Sequence, residues 1–516
     1  MNLKHYSLAA LAAIFALSAC NNDITEVVNA DSEYINSVKV TVDDFISETG
    51  TRTAYTVDAE GFHFQWATGD TLGIYPVGGD QVAFPISEGD GSATAQFDGG
   101  AWKLRSSYQY AAYYPFSAAN YHLSETSLPV SYTGQTQNGN GSTAHLASYD
   151  YLACAATAPN GDGGIDMTMN HLGAFVRLQL TMPKADTFSS VVLESDGAKF
   201  VTAGIYDLSA ATPAITSTET SSTYTIALSN VSTSAAGEVI TVYAMVAPAN
   251  LSAANITVTV HGAEQTTYVA TVTGKNFQSG SAYNFAITSF PSGTNASGED
   301  FNWVTCGHEY VDLGITDDSG NTIYWATCNL GADSPEDYGK YYAWGETKAF
   351  GEEDKTNLKN YSYTGSYYKT SSKWDTYKYC QSYMSMTKYC TSESYGPVDN
   401  LTTLELSDDA ARANWGGLWR MPTDAELTKL RENCTWTWDS AKKGYTVTGT
   451  NGNSIFMPTA GTYSSDVLMN AGTYGYYWSS SLRGCDNAWS VLLYETFVKQ
   501  SHDGRWACQS VRPVLQ

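Results

Sequence analysis

The chain has 516 residues, a formal net charge of −25 and only 15% charged side chains. An acidic balance of this size disfavours nucleic acid and anionic lipid as electrostatic partners. A length of about 500 residues points to two to four domains, and 37 Tyr with 13 Trp point to extracellular-type β-structure, because aromatic and β-branched side chains suit pleated strands.

Lys4 and His5 form a short basic start, followed by the apolar run Tyr6–Ala19. That run is shorter than the roughly 20 apolar residues needed to span a bilayer and has the length of a signal-peptide core. It closes on Leu17, Ser18, Ala19 and Cys20, which resembles a bacterial lipobox. Residues 1–19 are therefore expected to be a cleaved signal, Cys20 the lipidation site and residues 20–34 a tether. Two or three acyl chains anchor a soluble domain stably, where one would hold it only marginally. The expected location is the outer membrane, at the cell surface.

From Ile35 to about Ser289 the chain reads as strands. Val38–Val42, Phe62–Trp66, Val176–Leu180 and Ile256–Val260 alternate with period two, as half-buried strands do. Ile240–Met245 is apolar on nearly every residue, as a strand covered on both faces would be. Glycine-rich turns at 78–80 and 161–164 separate such runs. Residues 35–290 are expected to be all-β, with two sandwich-like subdomains.

Pro291–Asp300 is small, polar and turn-forming, so residues 291–302 are expected to be a linker. Beyond it lie most of the tryptophans and cysteines. Pro422–Asn433 predicts a helix: Thr423 suits the N-cap, Glu426 completes a capping box, and Leu427 and Leu430 share a face. A weaker helix candidate is Ser407–Asn414. Residues 303–516 are therefore expected to be α+β.

The nine cysteines stand at 20, 154, 306, 328, 380, 390, 434, 485 and 508, with no Cys-x-x-Cys pair. A zinc ribbon or thioredoxin-like site is thus disfavoured. In an exported protein some of the seven after residue 300 could pair, and their connectivity cannot be read from spacing. No Walker loop, no Gly-x-Gly-x-x-Gly, no Ser/His/Asp signature and no paired histidines occur. The expectation is a protein that is not an enzyme and has no cofactor or metal.

Two family resemblances organise these pieces. Thr51-Arg52-Thr53, the stretch from Phe64 and Trp66 through Gly69, Asp70, Gly73 and Tyr75, Asp150–Ala153, Met169–Val176 and the closing Gly280–Thr288 resemble the fimbrillin-like family of Bacteroides-type surface proteins. The resemblance implies a pair of β-sandwich-like subdomains and a fimbrial or adhesive role. It also implies a processing route, in which a trypsin-like protease cuts after Arg52 and removes the strand Ile35–Phe45. The vacated groove would then take a strand from a neighbouring subunit by β-strand addition, leaving the chain in a fimbrium rather than on its lipid.

The second resemblance covers 303–516. Tyr310–Gly314, Trp325–Gly331, Tyr338–Glu346, Trp419–Thr423, Gly475–Ser480 and Ser510–Val514 look like a Fib_succ_major (FISUMP) domain, a group similar to C-type lectins and formylglycine-generating enzymes. It implies fold more than activity. A formylglycine-type site would need a closely spaced reactive cysteine pair. Cys485 and Cys508 lie far apart in sequence and are better candidates for a structural disulfide. The sugar-binding triplets of true C-type lectins are absent, and Asp486-Asn487-Ala488-Trp489 has similar residues in the wrong order; a surface turn before a core strand is the expectation there.

Trp344, Tyr476, Tyr477, Trp478 and Trp506 could form an aromatic platform for sugar rings, although filling the core is the commoner use of such residues. Arg420 and Arg512 are expected to be ion-pair partners, with Asp424 near the first. The whole reads as an adhesive surface lipoprotein, a fimbrial accessory or tip subunit. Its expected partners are fimbrial subunits, glycans or proteins of a host or another cell, and the membrane through the lipid. The alternative is a non-polymerising glycan-binding protein that aids carbohydrate capture.

Overall fold

The computed structural model describes residues 33–35, 37–47, 52–55, 64–160, 163–382 and 385–515. Cys20, Phe62, His63, Gly161 and Asp162 lie outside the described residues. Among the described residues no helix is long and apolar enough to cross a membrane.

The first unit is a closed seven-stranded barrel. Around it run Leu152–Thr157, Gly164–His171, Ser37–Val42, Thr94–Phe97, Val82–Glu88, Thr71–Pro76 and Tyr110–Tyr114. Closure leaves no edge strand exposed. The turn expected at Gly78 joins two of these strands, and Gly78 takes the left-handed φ of 76° that the turn needs. Phe64–Trp66 differs from expectation. Phe64 and Trp66 are buried and Gln65 is exposed, yet the segment belongs to no ladder. Its two rings pack edge to face at 4.8 Å, and Trp66 meets Phe97 and Tyr114 at 5.0 and 5.3 Å. Core packing of aromatic rings produces the alternation there without strand pairing.

The second unit shares one core between two sheets. A five-stranded sheet contains Val239–Val246, Ala174–Thr181, Ser281–Ile287, Phe45–Ser47 and Arg52–Tyr55. A six-stranded sheet contains Thr136–Asn138, Thr223–Thr233, Asp186–Ser195, Asn255–His261, Thr267–Thr273 and Ser292–Thr294. The run Ile240–Val246 is buried almost throughout, as its unbroken apolar sequence requires.

The expected linker is instead part of this second unit. Ser292–Thr294 pairs antiparallel with Thr267–Val269. At Gly293 the backbones come so close that a Cβ would stand 2.0 Å from the Thr267 carbonyl oxygen, so a residue that reads as a loop former is what lets the strand dock. Trp303 then enters the same core, 4% exposed.

The C-terminal region is α+β. Val514–Leu515 lies between Thr322–Ala326 and Trp419–Arg420, so the region's last strand closes onto its first hairpin. The helix Asp424–Asn433 forms as expected, with the Thr423 hydroxyl accepting from the Glu426 amide and the Glu426 carboxylate accepting from the Thr423 amide. The weaker candidate becomes a 3-10 turn at Leu406–Asp408 and a helix at Ala410–Trp415, capped by Asp409. A backbone hydrogen bond joins the region to the second unit: the Gly417 amide donates to Pro183 O at 3.0 Å.

Candidate functional site: an inserted strand and an aromatic cleft

Ser37–Val42 owes its position to its alternation. Val38, Val40 and Val42 are at most 3% exposed and line the barrel core, while Ser37 and Lys39 face out. The strand runs parallel to Gly164–Met169 on one side and antiparallel to Thr94–Phe97 on the other. It is thus an interior strand supplied by the chain's N-terminal part. Phe45 follows and stacks on the His171 ring at 3.7 Å. His171 in turn bonds buried Asp150 through Nδ1 at 2.8 Å.

The chain then leaves the barrel for the five-stranded sheet. Phe45–Ser47 pairs in parallel with Ser281–Ala282, and Arg52–Tyr55 returns antiparallel as the outermost strand. Arg52 therefore sits in extended backbone at a sheet margin, downstream of the inserted strand.

The five aromatics expected as a platform do not form one. Trp344, Tyr477 and Trp478 are fully buried. Their polar ends are satisfied internally: Trp344 Nε1 donates to Ser479 O at 2.8 Å, Trp478 Nε1 to Tyr342 O at 3.0 Å and the Tyr477 hydroxyl to Pro458 O at 2.6 Å. Tyr476 and Trp506 are only partly buried. The cause is that Tyr474–Gly484 packs on both faces over much of its length, so its aromatics fill the core.

Of the two arginines expected in ion pairs, Arg420 forms one and Arg512 does not. Arg420 grips Glu426 through two nitrogens at 2.6 and 2.8 Å, whereas Asp424 accepts from Gln500 Nε2. Arg512 is fully buried, and its hydrogen bonds run to Asn329 Oδ1 and the carbonyls of Ala326, Thr327 and Phe456 rather than to a carboxylate. Burial pulls its pKa below the usual guanidinium value. Asp486 lies in the turn between Tyr474–Gly484 and Asn487–Tyr494 and Asn487 opens the second strand; both are half-buried. Among the described residues no three His, Cys, Asp or Glu side chains converge as a metal site.

Two cysteine placements correct the expected disulfide. Cys485 faces Cys390, with sulfurs 3.3 Å apart, and both are free thiols. Cys508 is fully buried and directs its sulfur toward Trp506 O instead.

Exposed aromatics do gather elsewhere. On the barrel unit a cleft of about 570 Å³ is lined by Asp80, Trp102, Lys103, Arg105, Tyr108 and Tyr121, among others. Trp102 is 64% exposed, Tyr108 52% and Tyr121 48%. Its floor is fixed. Gln81 is 2% exposed, donates to Ser117 O at 2.9 Å and accepts from the Tyr113 hydroxyl. One wall is the short strand Leu104–Arg105, held by pairing with Tyr34–Ile35 and by an Arg105–Glu33 ion pair at 2.6 Å. Stacking faces beside an acidic and a basic side chain are the chemistry that sugar rings and hydroxyls require. The signal in the sequence was present: Trp102 and Tyr108 stand among Gly99, Gly100, Ser106 and Ser107, without the alternating apolar neighbours that would draw them inward.

Residues 51–299 match the fimbrillin-like family. The match covers six of the seven barrel strands and the second unit through Ser292–Thr294, and it ends where the C-terminal region begins. Among solved structures, a candidate cell adhesion protein from Bacteroides uniformis ATCC 8492 shares 14% identity over 52% of this chain and 98% of its own, with a TM-score of 0.34. A fimbrial protein from Bacteroides ovatus ATCC 8483 shares 13% over 94% and 99%, with a TM-score of 0.26. The fimbrial anchor protein Mfa2 from Porphyromonas gingivalis shares 9% over 43% and 76%, with a TM-score of 0.23. A comparison with curated proteins finds no match.

Proposed function

We propose that the chain is a cell-surface adhesin: a fimbrial accessory or tip subunit, exported as a lipoprotein on Cys20 and assembled by strand addition after a cut at Arg52. The observation that carries this reading lies in the barrel, at a strand upstream of the residues that match the fimbrillin-like family. An interior barrel strand, Ser37–Val42, is supplied by the segment upstream of Arg52. Removing that segment would leave two unpaired backbone edges and a row of vacant valine positions. A partner strand of alternating apolar sequence fits such a slot, with backbone hydrogen bonds giving affinity and the pockets giving register. Fimbrial subunits are the partners this chemistry selects. The C-terminal region, read as a FISUMP domain of lectin-like type, would stand at the exposed end of such an assembly and present a surface to cells or glycans.

The test is N-terminal mapping of protein stripped from the cell surface. The reading expects a start at Thr53 and co-purification with fimbrial subunits. A start at Cys20 alone, with lipid retained and no associated subunits, overturns it.

A second reading keeps the lipid: a non-polymerising surface protein that captures glycans. The aromatic cleft at Trp102, Tyr108 and Tyr121 favours it, and saturable binding on a glycan array by the lipid-anchored form is its expected signature.

A further inference from the structure

We propose that Cys390 and Cys485 are joined by a disulfide when the chain matures in an oxidising compartment. The proposal rests on the reading that the chain is exported.

The two thiols are brought together by unrelated stretches of sequence. Cys485 follows Gly484 at the tip of the hairpin formed by Tyr474–Gly484 and Asn487–Tyr494. Cys390 opens an irregular loop that runs to Leu401. Asp399 closes that loop on itself: its carboxylate accepts from the amides of Tyr389, Cys390 and Leu401 at 2.6, 2.9 and 3.1 Å. The loop also folds back on the short strand Ser385–Met386, and a Cβ at Gly396 would meet Met386 O at 2.0 Å.

One side chain fixes the loop and the hairpin relative to each other. Arg505 is fully buried. Its Nη1 donates both to Cys485 O at 2.7 Å and to Tyr389 O at 3.1 Å, and its Nη2 donates to Lys388 O at 2.9 Å. The guanidinium is itself held between Trp344, Tyr377 and Tyr389, with ring centres 5.0, 5.3 and 5.8 Å away. The backbone of each thiol-bearing segment is thus clamped by one rigid donor. At 3.3 Å the sulfurs are in direct contact, so bond formation needs a small side-chain rotation rather than a backbone shift.

The environment also separates the roles of the two sulfurs. The Cys485 sulfur accepts from the Thr391 amide at 3.2 Å and from the Cys390 thiol. Burial opposes its ionisation, but these hydrogen bonds outweigh burial and set the Cys485 thiol below its ordinary pKa. Burial pushes the Cys390 thiol up. Cys485 is therefore the first nucleophile.

The oxidant is a protein dithiol oxidase in its disulfide form. The Cys485 thiolate attacks one sulfur of the oxidant's disulfide, and the oxidant's other sulfur leaves as a thiolate. Cys390 then loses its proton and attacks the Cys485 sulfur of the mixed disulfide, releasing the second oxidant thiolate. Two S–H bonds are lost and one S–S bond forms; the oxidant gains the two electrons and takes up the two protons. Both cysteines are buried once folding is complete, so the exchange falls after the loop and the hairpin tip have met, when the sulfurs already face each other, and before the surrounding core closes over them; the product is a structural bond that fastens the 390–401 loop to the hairpin tip.

Trypsin gives an unambiguous readout. Cutting after Lys388 and Arg412 yields one peptide whose only cysteine is Cys390, and cutting after Arg483 and Lys499 yields one whose only cysteine is Cys485. The full chain, exported in its host and alkylated before digestion without reductant, should give these two peptides as one linked species lighter than their sum by two hydrogens. A thermal scan supplies the second measurement. Reductant should lower the unfolding midpoint of the native chain and leave that of the Cys390→Ser/Cys485→Ser variant unchanged. Recovery of both peptides as alkylated thiols, or of Cys485 linked to any other cysteine, overturns the proposal. The peptide result needs no variant, so it stands even if the double substitution fails to fold.

Discussion

Trp303 Nε1 donates a 2.8 Å hydrogen bond to the Thr267 carbonyl, which ties the first tryptophan after the expected linker to a strand of the fimbrillin-like region. Its ring sits 4.7 Å from that of Tyr268 and 4.4 Å from that of Phe301. Trp303 therefore completes the core of the preceding unit. Truncating a buried aromatic removes its transfer energy and leaves a cavity, a loss of about 3–5 kcal/mol. Trp303→Ala should lower the unfolding transition of the fimbrillin-like region in denaturant and leave that of the C-terminal region in place. The opposite pattern would put Trp303 in the C-terminal core.

Legibility in the sequence followed the range of the physics involved. Val38–Val42 was readable because one buried face and one exposed face impose a period of two on neighbouring residues. The helix at Asp424–Asn433 was readable because its cap, Thr423 with Glu426, is a contact between residues three apart. Ser292–Thr294 was not, because its strand state comes from the open edge at Thr267–Val269, and its own small residues carry no pattern. The Cys390–Cys485 contact was not, because the loop and the hairpin that meet there are brought together by Arg505, a residue of neither. The aromatic platform failed for a third reason: Tyr476, Tyr477 and Trp478 give an aromatic run, and a run does not say which side of the sheet is covered.

Lys369 and Glu346 form a bidentate ion pair at 2.8 and 2.9 Å, with both side chains 1% exposed. The Glu346 carboxylate also accepts from the Lys378 amide at 2.9 Å. Losing one partner strands the other charge in a dry interior, which costs about 3–5 kcal/mol. Lys369→Met should destabilise the C-terminal region by that amount in urea titration. Adding Glu346→Gln should restore a large part of it, because the stranded charge is then gone. If the double variant is as unstable as the sum of the singles, the pair acts as two independent contacts and no charge is stranded by either single change.

Acid should find Glu426. Burial opposes its ionisation, but the Arg420 guanidinium outweighs burial and holds the carboxyl below its ordinary value. A folded pKa below the unfolded one, about 4.3 for glutamate, stabilises the fold fully above the unfolded value. That stabilisation is lost as pH falls through the folded value. Arg420→Gln should therefore lower stability by about 3 kcal/mol near neutral pH, and the gap from the native chain should shrink below about pH 4. Denaturant midpoints measured across that range give the gap directly; a gap independent of pH would mean that Arg420 acts through packing alone.

The cleft on the barrel unit makes the sharpest separation between binding and folding. Trp102 and Tyr108 are 64% and 52% exposed, so replacing either with alanine removes little buried area and should change stability by no more than about 0.5 kcal/mol. Their rings are nevertheless the stacking faces of the cleft. Loss of one should weaken a bound oligosaccharide about tenfold, equivalent to about 1.4 kcal/mol. Lys103→Ala probes the polar side of the same site and should weaken binding less, because an exposed charge acts against solvent screening. Glycan titration of the three variants beside thermal scans distinguishes the cases. Unchanged affinity in all three, with the fold intact, would remove the cleft as a sugar site and leave strand addition as the only binding chemistry argued for this region. Reduced affinity would place carbohydrate recognition on the barrel unit, next to Glu33 and Tyr34. Because Tyr34–Ile35 pairs with Leu104–Arg105, a cut at Arg52 would then remove one wall support of the sugar site in the same step that opens the barrel.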